Sequence, residues 1–440
     1  GPDIEYGDNP VVTSTLEGGY DDQKNYINQL SFSGTLTPPM IEGLSLGAIY
    51  TYDVSNWHRK RFCKPWTLYF PKWETAVRDS EGFITSMELT PTKRGFDSPE
   101  LNEEYSRSTR KLLNLNFNYS RDFGEHSINL FGAFEQIDEK GNNFGAFRKH
   151  YISDVVQTIS AGGETDKNNW GEAWIYARES WIARLNYDYR DKYLLEAIFR
   201  RDGSLKFPPD SRWGNFPGLL LGWRASEEDF WKENLGFINY FKLRASYGKI
   251  GMDPGNPFQY LNKYTKTSGL TLGTSKTVES VVKREGVANP NITWEKQTTY
   301  NIGFDSQFLN NLFSLDVDLF YNKRSDILAK RSASVPEFTG LTLPDENIAE
   351  VDNRGVEFTA GYHKIINNDF RFDISGNFSY NHNKVVFMDE PERAVPWQQR
   401  TGHPYGAEIL YKAIGIFADE EAVNSYPHWD GAKPGDVIFE

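Results

Sequence analysis

Long stretches of this chain alternate apolar and polar residues with a period of two, and no other feature limits the fold as tightly. In YARESWIARLNYDYR (176–190), Trp181, Ala183, Leu185, Tyr187 and Tyr189 share one phase, while Ile182, Arg184, Asn186, Asp188 and Arg190 share the other. A strand sends successive side chains to opposite faces, so this segment is a ribbon with one apolar and one polar face. A turn within 190–193 leads into YLLEAIFRRDGS, where Tyr193, Leu195, Ala197 and Phe199 keep the period, and WGNFPGLLLGWRAS follows as a third strand. A tilted strand of about 9–11 residues suffices to cross a bilayer.

The cleanest alternation is LLNLNFNYS, with Leu113, Leu115, Phe117 and Tyr119 set against Asn114, Asn116, Asn118 and Ser120. One face suits hydrocarbon and the other carries amides and a hydroxyl. The chain turns at 123–126 and returns as SINLFGAFEQ. Further strands are read at 25–37 (stopped by Pro38 and Pro39), 44–54 and 238–248, in the hairpins 292–308 with 313–326 and 355–365 with 370–383, and as a candidate last strand at 406–417. That gives roughly a dozen or thirteen strands. Residues 55–107, 138–173 and 251–290 are expected to be long loops. Residues 226–234 read as a short helix capped by Ser226, with Glu227, Glu228 and Asp229 in its first turn.

Tight turns near Pro38, Gly124, Asp191, Leu309 and Asn367 alternate with longer excursions at the opposite strand ends. Outer-membrane barrels have this asymmetry, with short periplasmic turns and long extracellular loops. A propeller would repeat every ~40 residues, and a sandwich would show turn signals every ~8–12 residues. Neither pattern is present. Aromatics make up 15% of the 440 residues, mean hydropathy is -0.61, and no apolar run approaches the length of a membrane helix. A transmembrane barrel reconciles these values, because only alternate residues meet lipid and aromatics collect at the interface.

The net charge of -13 argues against a nucleic-acid partner, whose binding needs a basic surface. Cys63 is the only cysteine, which excludes an intrachain disulfide. GPDIEYGDNP has neither the basic start nor the apolar core of a leader, so either a leader has been removed or the chain is an internal piece. Gly43–Gly47 fits G-x-S-x-G, but its serine lies in an alternating strand and not at a strand-to-helix elbow. Histidines 58, 126, 150, 363, 382, 403 and 428 form no metal spacing, and no phosphate loop or dinucleotide fingerprint occurs. No catalytic residue, metal or cofactor is expected, and the chain is expected not to be an enzyme.

Two readings stand for the aromatics of the expected loops, Trp57, Trp66, Tyr69, Trp73, Trp170 and Trp174. Their flat apolar faces suit stacking against sugar rings or peptide side chains, and suit equally well the packing of loops onto each other. Tyr187, Tyr189, Tyr193, Phe308 and Phe313, beside tight turns, are expected in a membrane girdle.

Five ordered segments carry a family resemblance: YLLEAIFRRDGSLKF, RWGNFPGLLLGWRASEEDFW, FKLRASYGKIG, NPNITWEKQTTYNIGFD and NRGVEF. From about Asn9 onward the chain resembles the C-terminal barrel part of the SusC/RagA-like TonB-dependent outer-membrane transporters. The resemblance implies an all-β fold, an antiparallel transmembrane β-barrel that is part of a 22-stranded, plugged receptor. It implies import of glycans or oligopeptides across the outer membrane, a SusD-like surface lipoprotein as lid, and TonB as the source of energy. As barrel parts, Pro217 fits a strand start or bulge, and Gly355 is expected to start a strand. The whole of 1–440 is then a partial barrel, with the plug domain and terminal strands outside it, since open edges do not persist in hydrocarbon. Uptake of a siderophore or vitamin, a non-transporting glycan-binding adhesin and a secreted polysaccharide-active enzyme are the alternatives.

Overall fold

The computed structural model describes residues 10–272, 277–333 and 343–440. Residues 1–9, read above for a leader, and 273–276, within the expected loop at 251–290, lie outside the described residues. Twelve strands hydrogen-bond in chain order into one antiparallel sheet. The chain divides into two compact units, Gly1–Leu185 with Phe199–Leu205, and Asn186–Ile198 with Lys206–Glu440.

In the first unit a single helical turn, α1 (Pro10–Thr13), precedes β1 (Gly19–Leu36) and β2 (Leu44–Pro71). Two short strands, β3 (Val77–Arg78) and β4 (Ile84–Ser86), lead to β5 (Leu89–Phe123), β6 (His126–Lys149) and β7 (Lys167–Tyr189). The registers show why the alternation matters. Leu36, Leu46, Phe117 and Gly132 lie opposite one another across β1, β2, β5 and β6; so do Gly34, Ala48, Leu115 and Phe134, and then Phe32, Tyr50, Leu113 and Gln136. Four strands thus bring their apolar phases to one face. Phe117 covers Gly132, and Phe134 packs on Trp181 with ring centroids 4.8 Å apart. The band is uncovered by protein, with Phe32 65% exposed. The opposite face carries the amides: Asn116 Nδ2 donates to Asn114 Oδ1 (2.8 Å), and Asn129 Nδ2 to Asn118 Oδ1 (3.2 Å).

In the second unit β8 (Tyr193–Ser204), which runs through both units as β7 does, leads to β9 (Trp213–Trp223), α2 (Asp229–Asn234) and β10 (Ile238–Met252). A separate hairpin, β11 (Lys263–Leu272) with β12 (Thr277–Glu285), precedes β13 (Glu295–Phe308), β14 (Phe313–Ala329), β15 (Glu346–Ile365) and β16 (Arg371–Phe387). Trp223, Leu243, Phe304, Val317, Phe358 and Phe378 form one cross-strand row, and Leu221, Ala245, Ile302, Leu319, Val356 and Tyr380 the next. From Phe313 to Tyr321 the apolar phase of β14 covers about 27 Å of strand at about 3.4 Å per residue. At the tilt of about 35–45° usual for barrel strands that length rises about 19–22 Å, which is most of an apolar band about 25 Å tall.

The tight turns have the backbone their lengths demand. Arg190 and Asp191 are both left-handed (φ 57° and 56°), as a two-residue hairpin turn requires. Leu309, Asn310 and Asn311 are left-handed in succession, and the turn is held by Leu309 N–H on the Phe237 carbonyl (2.8 Å) and Asn310 N–H on Asn239 Oδ1 (2.6 Å).

Several expectations are corrected. The supposed loop at 55–107 is mostly ladder, because β2 runs on to Pro71 and β5 begins at Leu89. Likewise β6 continues to Lys149 and β7 begins at Lys167 within the supposed loop at 138–173. Beyond the bilayer both faces meet water, so the alternation lapses while backbone pairing continues. The described part of 251–290 includes β11 and β12. Ser226 is not a helix cap: Ala225–Glu227 is a 3₁₀ turn, and Glu228 occupies the N-cap position of α2 with no side-chain cap bond. Gly355 lies inside β15, where Phe320 packs over it. In 406–417 only β17 (Ala413–Ile416) is strand, paired with β18 (Val437–Phe439) and separate from the large sheet; between them lies α3 (Glu420–Ser425). Pro217 lies inside β9 but just outside its paired run with β10, which begins at Gly218 opposite Gly248.

Candidate functional site

The polar face of the first unit continues above the apolar band as a platform. In register, Asn25, Trp57, Ser106 and Asn143 lie side by side across β1, β2, β5 and β6, followed by Gln23, Arg59, Glu104 and Gly145. Trp170 and Trp174 of β7 reach over this face, because their indoles occupy the space that side chains on Gly145 and Gly141 would need. Between these glycines Asn143 Oδ1 accepts the Glu172 N–H (3.0 Å). Arg59 donates through Nε and Nη2 to Asp21 (2.9 and 2.6 Å), and through Nη1 to Glu104 (3.4 Å). Three indoles thus share a surface with amides, a hydroxyl and an ion network. Apolar ring faces beside fixed donors and acceptors are the chemistry that holds a polar ligand.

The other three aromatics are elsewhere. Trp66 packs over Gly95 and near Gly18 on the extension of β2. Tyr69 and Trp73 lie farther out and are 63% and 64% exposed. The set read from the sequence therefore splits into a group on the platform and a group beyond it.

The residues expected in a girdle lie at the tight-turn ends of strands. Tyr189 and Tyr193 stack (centroids 6.3 Å), and Phe308 faces Phe313, which packs on Tyr362 at 5.1 Å. Tyr187 lies on β7 in the phase of Tyr189. The Tyr193 hydroxyl donates to Glu228 Oε1 (2.7 Å), which also accepts from Trp223 Nε1 (3.3 Å), while Lys192 Nζ holds Oε2 (3.0 Å). These donors, Tyr193 first, hold the Glu228 carboxyl below its ordinary range. A second aromatic row escaped the sequence reading. Tyr247, Tyr300 and Tyr321 lie side by side across β10, β13 and β14 with centroids 5.4 and 6.4 Å apart, at the far edge of the apolar band. Only the register brings them together.

On the polar face of the second unit Arg244 grips two carboxylates, Asp305 through Nε (2.9 Å) and Asp318 through both terminal nitrogens (3.0 and 3.1 Å). At the strand ends away from the tight turns, Trp294 is buried with Phe207, Phe216 and Ile292. Its Nε1 donates to the Arg212 carbonyl (2.9 Å), and Asn347 bonds the Thr293 backbone in both directions (2.9 and 2.8 Å). The motif NPNITWE is therefore a lock between connections.

None of this is arranged for covalent chemistry. Ser45 sits in the β2–β5 ladder opposite Asn118. His363 lies between Ser314 (3.3 Å) and Asp373 (2.9 Å), but Arg371 grips both oxygens of that carboxylate, which makes the group a pin across β14, β15 and β16. Among the described residues no cluster of metal-ligating side chains occurs.

Residues 3–408 match the family described as TonB dependent receptor-like, beta-barrel. TonB-dependent receptor P39 of Formosa agariphila is 32% identical over 311 residues, which are 70% of this chain and 29% of that protein. TonB-dependent receptor SusC of Bacteroides thetaiotaomicron is 30% identical over 265 residues, 59% of this chain and 26% of that protein. The chain thus spans under a third of the length of either relative. A structure of the RagAB peptide transporter shares the fold, with a TM-score of 0.70 at 20% identity over 91% of this chain and 41% of that one. With its two-faced antiparallel sheet and a match along nearly its whole length, the chain belongs to the TonB-dependent receptor-like β-barrel family.

Proposed function

We propose that this chain forms much of the wall of an outer-membrane importer for oligosaccharides or oligopeptides. One observation carries the reading: Trp57, Trp170 and Trp174 share the polar face with Ser106, Asn143 and the Arg59 network, while the opposite face of the same strands carries, below the level of the platform, the apolar rows. Lipid on one side and a wet passage on the other is the division a transport barrel needs. The platform binds the nutrient, and no bond in it is made or broken by this chain. The kinship with SusC and the shared fold with the RagAB transporter support both substrate classes and a SusD-like lipoprotein lid. The plug, the TonB contact and the remaining strands belong, on this reading, to the rest of the full-length receptor, of which relatives such as P39 are examples.

Uptake by cells carrying or lacking the full-length receptor tests this, using fluorescent oligosaccharide and oligopeptide pools with and without TonB. Receptor- and TonB-dependent accumulation of one pool is the expected result. Equal accumulation of both pools in cells without the receptor overturns the proposal.

A further inference from the structure

The connection from β9 to β10 is longer than the tight turns on either side of it, and it is tied to both. At its start Arg224 N–H bonds the Lys192 carbonyl (2.8 Å), and at its end the Phe237 carbonyl accepts Leu309 N–H (2.8 Å). Between these ties α2 is folded against the outward, apolar face of the strands. Glu228, at its N-cap position, is held by the Tyr193 hydroxyl, Trp223 Nε1 and Lys192 Nζ, and both aromatics belong to the outward phases of β8 and β9. Trp231 stacks on Phe241 (centroids 4.8 Å), and Phe241 stacks on Phe304 of the apolar row (5.6 Å). Trp231 Nε1 donates to the Ile238 carbonyl (3.2 Å), so the indole has no polar atom left to hydrate.

Next to Trp231, which it meets edge to face (6.4 Å), Phe230 is 52% exposed, and Phe237 is 56% exposed. Asp229, Lys232, Glu233 and Asn234 are exposed as well, and Lys232 Nζ pairs with Glu227 Oε2 (3.1 Å). Both oxygens of the Glu228 carboxylate have donors, so the latch can stand beside hydrocarbon without leaving a charge unpaired. Phe and Trp rings beside charged residues, set against girdle tyrosines, are the composition of a segment lying in the plane of a membrane interface. We infer that residues 229–237 lie in the lipid–water interface of the leaflet on the tight-turn side, as a foot outside the barrel wall. Phe230 and Phe237 then enter the boundary between headgroups and acyl chains. The occupant follows from continuity: the rings of Trp231, Phe241 and Phe304 run without a break from the helix into the rows that face lipid, so the phospholipid that covers Phe304 also reaches Phe230. The inference depends on which face meets lipid and is independent of which nutrient is carried.

The test attaches a bimane fluorophore to one site at a time in the full-length Cys63→Ser receptor, reconstituted in phospholipid bilayers. At Phe230→Cys and Phe237→Cys the emission is expected to be quenched by phospholipid brominated near the headgroup end of its chains, and to be shielded from aqueous iodide. At Glu233→Cys the order should reverse. Leu319→Cys, in the apolar rows, reports the lipid face itself. Iodide quenching at 230 and 237 equal to that at 233, with bromolipid quenching at 319 intact, overturns the inference and leaves the two-faced wall standing. Shielding of 230 and 237 from both quenchers overturns it too, because a protein and not lipid then covers the rings. Loss of bromolipid quenching at 319 removes the face on which the inference rests. Should Phe230→Cys fail to fold, position 237 decides by the same two quenchers.

Discussion

The ring of Phe216 lies in the space that a side chain on Gly251 would need, so β9 and β10 meet at the foot of the buried cluster around Trp294. The same ring also covers Gly214. Glycine in these strands is therefore a seat for an aromatic ring, as it is for Phe117 on Gly132, Phe320 on Gly355 and the platform indoles on Gly141 and Gly145.

Adding one methyl group at such a seat displaces a packed ring. Gly251→Ala is expected to destabilise the fold by about 1–3 kcal/mol. Gly248→Ala, on the same strand with open space at its Cβ position, is expected to be neutral. Thermal unfolding followed by gel mobility compares the two.

Trp294 is 1% exposed and its Nε1 is hydrogen-bonded. Trp294→Ala is expected to cost about 3–5 kcal/mol through the cavity left in the cluster. Protease sensitivity should rise in the connections holding Ser211 and Asn347 and leave the apolar rows unaffected.

Arg244 is the only partner among the described residues that brings Asp305 and Asp318 together. Arg244→Met leaves two partly buried carboxylates facing each other, at an expected cost of about 2–5 kcal/mol. Arg244→Lys keeps the charge but loses the two-point grip on Asp318, so its loss should be smaller. Denaturant midpoints in the same detergent order the three proteins.

Glu228 is held ionised by Tyr193, Lys192 and Trp223. Its folded pKa is depressed, so at intermediate pH the unfolded chain binds more protons than the folded one. The stabilisation is complete above the ordinary glutamate range, about pH 4.3, and is lost as pH falls through the lower folded value. Glu228→Gln should lower thermal stability at pH 7 and flatten its decline below pH 4.3 relative to the parent. A parallel decline in both proteins would remove Glu228 from the account.

Alternation revealed the strands wherever one face meets lipid, which is why Leu113–Ser120 and Trp181–Arg190 were legible from the sequence alone. It failed at Ser55–Pro71 and Leu89–Arg107, where both faces meet water and nothing in the side chains marks a ladder held by backbone bonds. The platform was half visible. Trp57, Trp170 and Trp174 stood out as aromatics, but only the register sets them on one face with Ser106 and Asn143 and separates them from Tyr69 and Trp73. The Tyr247, Tyr300 and Tyr321 row was hidden for the same reason. Ser226 misled because a polar residue before acidic ones also suits a 3₁₀ turn.

The account rests on the two faces of these strands meeting different solvents. Nitroxide labels placed one at a time at Leu113 to Phe117 and Val317 to Tyr321, in full-length Cys63→Ser protein in bilayers, report this directly through collision with oxygen and with a water-soluble nickel complex. The account predicts a period of two, with oxygen favoured at Leu113, Leu115, Phe117, Val317, Leu319 and Tyr321 and nickel favoured at Asn114, Asn116, Asp318 and Phe320. Accessibility that does not alternate, or alternates in the opposite phase, would contradict it.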